Sequence, residues 1–110
     1  MEFRGQQMKI LLFVSSHCSH CPNAVAVVNK VAPKYYDNGL SYRKIRIKTS
    51  EGKELSSKYG VMSVPSILMF DKDGREIKRI VGAPSEGYLI NVIEKALGLK
   101  KSFWSKILGA

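Results

Sequence analysis

Ile10-Leu11-Leu12-Phe13-Val14 is an apolar run without a polar interruption, and after Ser15-Ser16-His17 it leads into Cys18-Ser19-His20-Cys21-Pro22. A short run of this kind suits a strand covered on both faces, as at the centre of an α/β sheet. Beyond the cysteines, Ala24, Val25, Val28, Val31 and Ala32 recur at three- and four-residue spacing, which predicts an amphipathic helix from about Ser19. Pro33 removes a donor and clashes with the preceding turn, so the helix should break or kink there, and Asp37-Asn38-Gly39 marks a turn. Arg43, Ile45 and Ile47 then alternate with Tyr42, Lys44, Arg46 and Lys48, the period of a second strand. A helical crossover joins parallel strands, so the first half is expected to be a β-α-β unit.

The second half has a different pattern. A short helix over Glu51 to Tyr59 should end at Gly60. Ile67 to Phe70 and Ile77 to Val81 are apolar runs joined by Asp71-Lys72-Asp73-Gly74, whose Asp-Gly step favours an antiparallel hairpin. Tyr88, Leu89, Val92, Ile93, Ala96 and Leu97 form a helical stripe, with Ser85 as candidate N-cap and Gly98 as candidate C-cap. The expected order is β-α-β-α-β-β-α. In the tail from Leu99 to Ala110, Phe103, Trp104, Ile107 and Leu108 share one helical face, and the expectation is a short amphipathic helix docked on its own domain. Partner binding and membrane contact are lesser readings of that tail.

At 110 residues, 45% of them hydrophobic and 25% charged, the chain matches one globular domain. Lys and Arg number 18 against 9 Asp and Glu, a net charge of +9 that favours acidic partners without saying anything about fold. The basic residues are dispersed, with denser stretches at Arg43, Lys44, Arg46, Lys48 and at Lys72, Arg75, Lys78, Arg79. There is no basic arm, so a solvated surface is expected in preference to nucleic-acid binding. The five-residue apolar run is far short of the ~20 residues of a spanning helix, and no signal peptide is evident, so the expected location is cytoplasmic.

The two cysteines would close only a tiny loop, of little use for stability, and their use is therefore expected to be chemical. Two intervening residues let both sulfurs share one turn and form a reversible disulfide. A thiolate at Cys18, beside a helix N-terminus, is stabilised by free N–H groups and the helix dipole. Cys21, read as one turn inside the helix and more buried, suits the resolving role. A metal or iron–sulfur site is the alternative, with His17 and His20 as further ligands. Four ligands from five consecutive residues would then have to form a tetrahedron at a strand-to-helix turn, so no metal is expected. Gly60-Val61-Met62-Ser63-Val64-Pro65-Ser66 places a proline just before a strand, where a cis bond could expose the backbone of Val64 to an extended substrate. Taken by itself, an X-Pro bond is expected to be trans.

Cys18-Ser19-His20-Cys21 after an apolar strand, Tyr59-Gly60-Val61 leading to Val64-Pro65, and Val81-Gly82-Ala83-Pro84-Ser85 before the last helix together resemble the thioredoxin superfamily, over about residues 8 to 97. Within it, the early first strand and the run from Cys18 to Ala24 are similar to the small glutaredoxin-like thioredoxins and protein disulfide oxidoreductases of archaea and some bacteria. The segment from Tyr59 to Leu89 is closer to ordinary thioredoxin. The resemblance implies an α/β thioredoxin fold, a four-stranded mixed sheet flanked by helices. It implies a nucleophile at Cys18, a resolving thiol at Cys21, a cis proline at Pro65 and substrate contacts at Val64, Pro65, Gly82 and Ala83. It also implies thiol–disulfide oxidoreductase activity without a bound cofactor, on protein disulfide substrates, by a monomer supplied by a thioredoxin-reductase-like or glutathione electron donor.

Three features depart from the family pattern. His17 stands where thioredoxins usually have tryptophan, Ser19-His20 replaces Gly-Pro, and the position of the buried aspartate thought to help deprotonate the resolving cysteine falls on Leu12. His20 resembles the histidine of disulfide isomerases and oxidases, where it stabilises the first thiolate and makes the disulfide more oxidising; with Ser19 it is the candidate for redox tuning. Two other functions remain open: a glutathione-dependent glutaredoxin-like protein, with Arg46, Val64 and Gly82 as a possible site, and an iron–sulfur or metal carrier using the same cysteines.

Overall fold

The computed structural model describes residues 7–99, and the expected helix in the tail beyond Leu99 lies outside the described residues. The elements in order are β1 (Met8–Val14), α1 (Cys21–Val31), a 3-10 segment (Ala32–Asn38), β2 (Leu40–Arg46), α2 (Ser50–Tyr59), β3 (Ser66–Asp71), β4 (Glu76–Val81) and α3 (Glu86–Ala96). The sheet order is β2-β1-β3-β4, with β2 parallel to β1 and the β1–β3 and β3–β4 pairs antiparallel.

The apolar run of β1 is central, and the period-two geometry of a strand sends its side chains alternately into two cores. Ile10, Leu12 and Val14 meet Ala24, Val28 and Val31 of α1 and Leu89 and Ile93 of α3. Leu11 and Phe13 face the other way, clustering with Ile45, Leu68 and Phe70 beneath Leu55 and Tyr59 of α2. Each fully buried aliphatic or aromatic side chain contributes about 1.5–3 kcal/mol, so neither layer can be peeled off without large loss.

Several boundaries differ from those expected. β2 occupies Leu40–Arg46, two residues shorter at its end than the alternation suggests, because the Thr49 N–H and hydroxyl both donate to the Arg46 carbonyl and turn the chain there. Ile47 therefore lies in a turn, where its N–H still donates to the Val14 carbonyl at 3.0 Å. The first helix breaks before Pro33 as expected, and a 3-10 segment that begins at Ala32 and takes in that proline is closed by Gly39 at φ 92°. In β4, a register irregularity opposite Met69 and Phe70 leaves Ile77 without a partner across the ladder and exposed; Val81, in regular register with Ser66, is exposed as well. On α3 the buried residues are Leu89 and Ile93, whereas Tyr88 points outward under the Lys78 ammonium. Ser85 caps this helix by accepting from the Tyr88 N–H; Leu97 is the C-cap and Gly98, at φ 83°, follows it.

Candidate active site

Strand register gathers the marked residues at one end of the sheet. Val14, the last residue of β1, pairs with Arg46; Phe13 pairs with Ser66 at the start of β3; and Ser66 pairs with Val81 at the end of β4. The loop carrying Cys18, the Val64-Pro65 step and the Gly82-Ala83 turn all leave from this end. In an α/β sheet such an end, outside the strand termini, is where loops can carry chemistry on a rigid support.

Cys18 and Cys21 form a disulfide, with Cα atoms 5.4 Å apart. Cys21 is the first residue of α1 and not one turn inside it. Pro22 explains the late start: without an N–H it fits the first turn, where no intrahelical acceptor is available to any donor. The deeper burial expected for Cys21 nevertheless holds. It is 4% exposed and belongs to the core of α1 and α3, whereas Cys18 is half-buried against the edge of that core. Ser19 and His20 are both exposed, and His20 occupies the N-cap of α1 without a side-chain capping bond. The Cys21 N–H donates to the Cys18 carbonyl at 3.4 Å, folding the pair into a turn against the helix start.

The Val64–Pro65 bond is cis, as the resemblance implied and contrary to the expectation for an isolated X-Pro step. Gly82, at φ 98°, donates its N–H to the Pro65 carbonyl at 2.8 Å, so the β4 turn is tied to the cis proline. Val64 is half-buried and touches both cores, and among the described residues its backbone N–H and carbonyl make no hydrogen bond. Pro65 is buried, and Ala83 is exposed beyond Gly82.

A groove of about 920 Å³ opens beside the disulfide, between α1 and the end of β2. Both cysteines line it, with Val14, Val25 and Ala26 as apolar surface and Lys44, Arg46 and Lys48 as cations. In the sequence these cations are only one dense basic stretch; the parallel β1–β2 register is what brings them next to the cysteines. A second hollow of about 360 Å³, between Ile47, Val61, Met62 and Val64, lies on the α2 side. Arg46 lines the first, Val64 the second, and Gly82 neither, so these three residues do not share one pocket. Among the described residues, no group of three or more His, Cys, Asp or Glu side chains converges as metal ligands would.

Leu12, at the position of the family's buried aspartate, is fully buried in the same core as Cys21. Among the described residues, no carboxylate lines the groove beside the disulfide.

The sequence matches the Thioredoxin family model over residues 3–95. A probable thioredoxin of Archaeoglobus fulgidus is 36% identical over 87 residues, spanning 79% of this chain and 87% of that one. A thioredoxin of Methanocaldococcus jannaschii is 34% identical over 92 residues, spanning 83% and 98%. Among solved structures, a mutant thioredoxin of Halobacterium salinarum NRC-1 superposes with a TM-score of 0.72 at 27% identity, covering 84% of this chain and 76% of that one. These similarities do not favour the glutathione-dependent alternative. Central strand, cysteine turn and family match agree: the chain belongs to the thioredoxin family of thiol–disulfide oxidoreductases, with its Cys-x-x-Cys pair present as the Cys18–Cys21 disulfide.

Proposed function

We propose that this protein passes two electrons to disulfides in other proteins, with Cys18 as the attacking and Cys21 as the resolving sulfur. The observation that carries this reading is the difference in accessibility within a bonded pair: Cys18 is half-exposed at the surface and Cys21 is 4% exposed beneath it. In the reduced protein, the Cys18 thiolate attacks one sulfur of the substrate disulfide. A mixed disulfide forms and the other substrate sulfur leaves as a thiolate. The Cys21 thiolate then attacks Cys18 Sγ, the Cys18–Cys21 bond forms, and the second substrate sulfur leaves. The substrate is reduced by two electrons and this protein is oxidised by two. A reductase protein that returns them closes the cycle.

Val64 and Pro65 present the substrate to Cys18. The unpaired backbone of Val64 can bond to an extended segment as a further strand would. Gly82 and Ala83 form the opposite bank, held by the Gly82–Pro65 hydrogen bond. His20 at the α1 N-cap, with Ser19, adjusts the thiolate of Cys18 and hence the potential.

The test is trapping. Incubated with a disulfide-containing protein, the Cys21→Ser variant should accumulate a mixed disulfide through Cys18, whereas Cys18→Ser should form none. Equal trapping by both variants, or turnover surviving in either, would refute the assignment.

A further inference from the structure

Three cations stand along one wall of the groove beside the disulfide. Lys44 and Arg46 project from the end of β2, and Lys48 follows in the turn. None has a carboxylate partner among the described residues, although paired cations occur elsewhere: Lys30 with Glu86, Arg43 with Glu51 and Arg79 with Glu76. Arg43 is instructive, because it lies between Tyr42 and Lys44 on the same strand. Strand alternation sends Arg43 toward α2, where Glu51 accepts both of its guanidinium nitrogens, and sends Lys44 to the other face, where no acid lines the groove. On this strand, therefore, the cations without a carboxylate partner among the described residues, Lys44 and Arg46, lie on the side on which the cysteines open.

The other wall and the floor have a different character. Val14, Val25 and Ala26 are apolar, and both cysteines border the same space. At about 920 Å³ the groove is far too large for a bare ion and holds several amino-acid side chains. Low-dielectric walls beside one sign of charge concentrate the opposite sign and accelerate its arrival.

We propose that this groove is a docking site for an acidic segment of the protein substrate, one whose Asp or Glu side chains lie close in sequence to the disulfide being reduced. Lys44, Arg46 and Lys48 face the carboxylates and the Val14–Val25–Ala26 surface covers an aliphatic neighbour, while the backbone beside the disulfide rests on Val64 and Pro65 as its sulfur meets Cys18. The site is distinct from the Val64-Pro65 side, which receives backbone. The proposal rests on the disulfide exchange described above and adds to it a rule of substrate choice: of two disulfides equally reactive, the one with acidic flanks is taken first.

The experiment uses the full chain and three synthetic peptides with the same intramolecular disulfide, flanked by Asp and Glu, by Gln and Ser, or by Lys. Reduction rates are compared for the native protein, for K44Q/R46Q/K48Q, and for a control, K34Q/K72Q/K95Q, that removes equal charge from exposed positions outside the groove. Three exposed charge pairs, added to steering, predict kcat/KM about 10-fold higher for the acidic than for the neutral peptide at low salt. The preference should fall below about 2-fold in ~0.5 M salt and in the groove variant, and persist in the control. Binding of the acidic peptide to the C18S/C21S variant, followed by NMR, should shift the amide signals of Val25, Ala26 and Lys44. Equal rates for acidic and neutral peptides, or a preference lost equally in the control, would overturn the proposal. If no peptide is reduced by the native protein, the exchange reading fails; the NMR result still decides the docking site.

Discussion

Replacing Gly52 by alanine is the sharpest test of how this fold holds its active-site end. A glycine inside a helix ordinarily weakens it, and Gly→Ala at such a position stabilises by about 1 kcal/mol. Here the opposite should occur. A Cβ built on Gly52 would lie 1.9 Å from the Arg46 carbonyl oxygen, 2.7 Å from the Arg46 carbonyl carbon and 2.8 Å from Ile47 Cα. All three are backbone atoms, which cannot swing aside as a flexible side chain does. Restoring even a tight 3.0 Å contact requires α2 and the end of β2 to separate by at least 1.1 Å. That movement lifts Leu55 and Tyr59 from Phe13 and Phe70, and it stretches the 2.9 Å bond by which Thr49 caps the helix through the Gly52 N–H. Overpacking at the severe end costs about 3 kcal/mol and loss of the cap about 1 kcal/mol, against about 1 kcal/mol of helix propensity gained. The net expectation is about 3 kcal/mol, or roughly 12 °C in Tm for a domain of this size.

Urea denaturation followed by circular dichroism measures this directly, with the midpoint falling and the slope unchanged. Gly87→Ala is the matched control. Gly87 also lies in a helix, but a Cβ there meets nothing within 4 Å, so that variant should be stabilised by up to about 1 kcal/mol. If Gly52→Ala were as stable as the native protein, the close approach of α2 to Arg46 would not constrain the fold and the argument would fail.

Tyr35, buried beneath α3, donates its hydroxyl to Glu94 at 2.6 Å, and burial, reinforced by that carboxylate, pushes its pKa up to about 12. The raised value means that the folded state holds a proton the unfolded chain releases near 10. The contribution is complete below pH ~10 and lost as pH rises through about 12; Tyr35→Phe should cost about 1–2 kcal/mol at pH ~7 and flatten this alkaline limb in thermal scans. Arg79 binds both Glu76 oxygens and the carbonyls of Tyr59 and Gly60, and its hydrogen bond holds the Glu76 carboxyl below the usual range. Arg79→Met should cost about 1 kcal/mol at pH ~7, with the difference shrinking as acid protonates Glu76, when native and variant melting curves are compared down to pH ~3. His20→Ala should lower the potential of the Cys18–Cys21 couple by about 30 mV, a tenfold change in equilibrium constant, in thiol–disulfide buffers at neutral pH; an unchanged or raised potential would rule out tuning by this imidazole.

Much of this architecture is carried by local pattern. The uninterrupted apolar run of β1 identifies a strand with two buried faces, and the structure has it at the centre of the sheet, with Ile10, Leu12 and Phe13 fully buried. The Asp73-Gly74 turn and the Ser85 cap are likewise local, because a positive φ or an orphan N–H is satisfied within a few residues. Where the pattern misled, a hydrogen bond or close approach that periodicity does not encode decided. Ile47 continues the alternation of β2, yet the bonds from Thr49 to Arg46 turn the chain before it. Gly52 has no local reason to sit within a helix; its reason is the carbonyl of Arg46, on another element.

The site divides along the same line. Cys18 and Cys21 are legible because a disulfide between them depends on spacing alone, whereas the cis bond at Pro65 follows from the resemblance and not from the X-Pro step, for which trans is expected. The groove is not, since Lys44, Arg46 and Lys48 are one basic stretch among several until β2 is set parallel to β1 with Arg46 opposite Val14. Strand alternation separates two neighbours of identical charge: Arg43 is neutralised by Glu51 on one face, while Lys44, on the face of the cysteines, has no carboxylate partner among the described residues. Leu12, paired with Lys44, completes the contrast. With an apolar side chain in place of the family's aspartate and a cation on the adjoining strand, the charge beside the sulfurs is positive. Such a field favours the thiolates of the reduced pair and attracts acidic substrates to them. Both effects trace to the same few residues of β2, so they can be separated by experiment: neutralising Lys44 alone should alter the potential at any salt concentration low enough to leave the field unscreened, whereas substrate preference should respond to the whole groove wall.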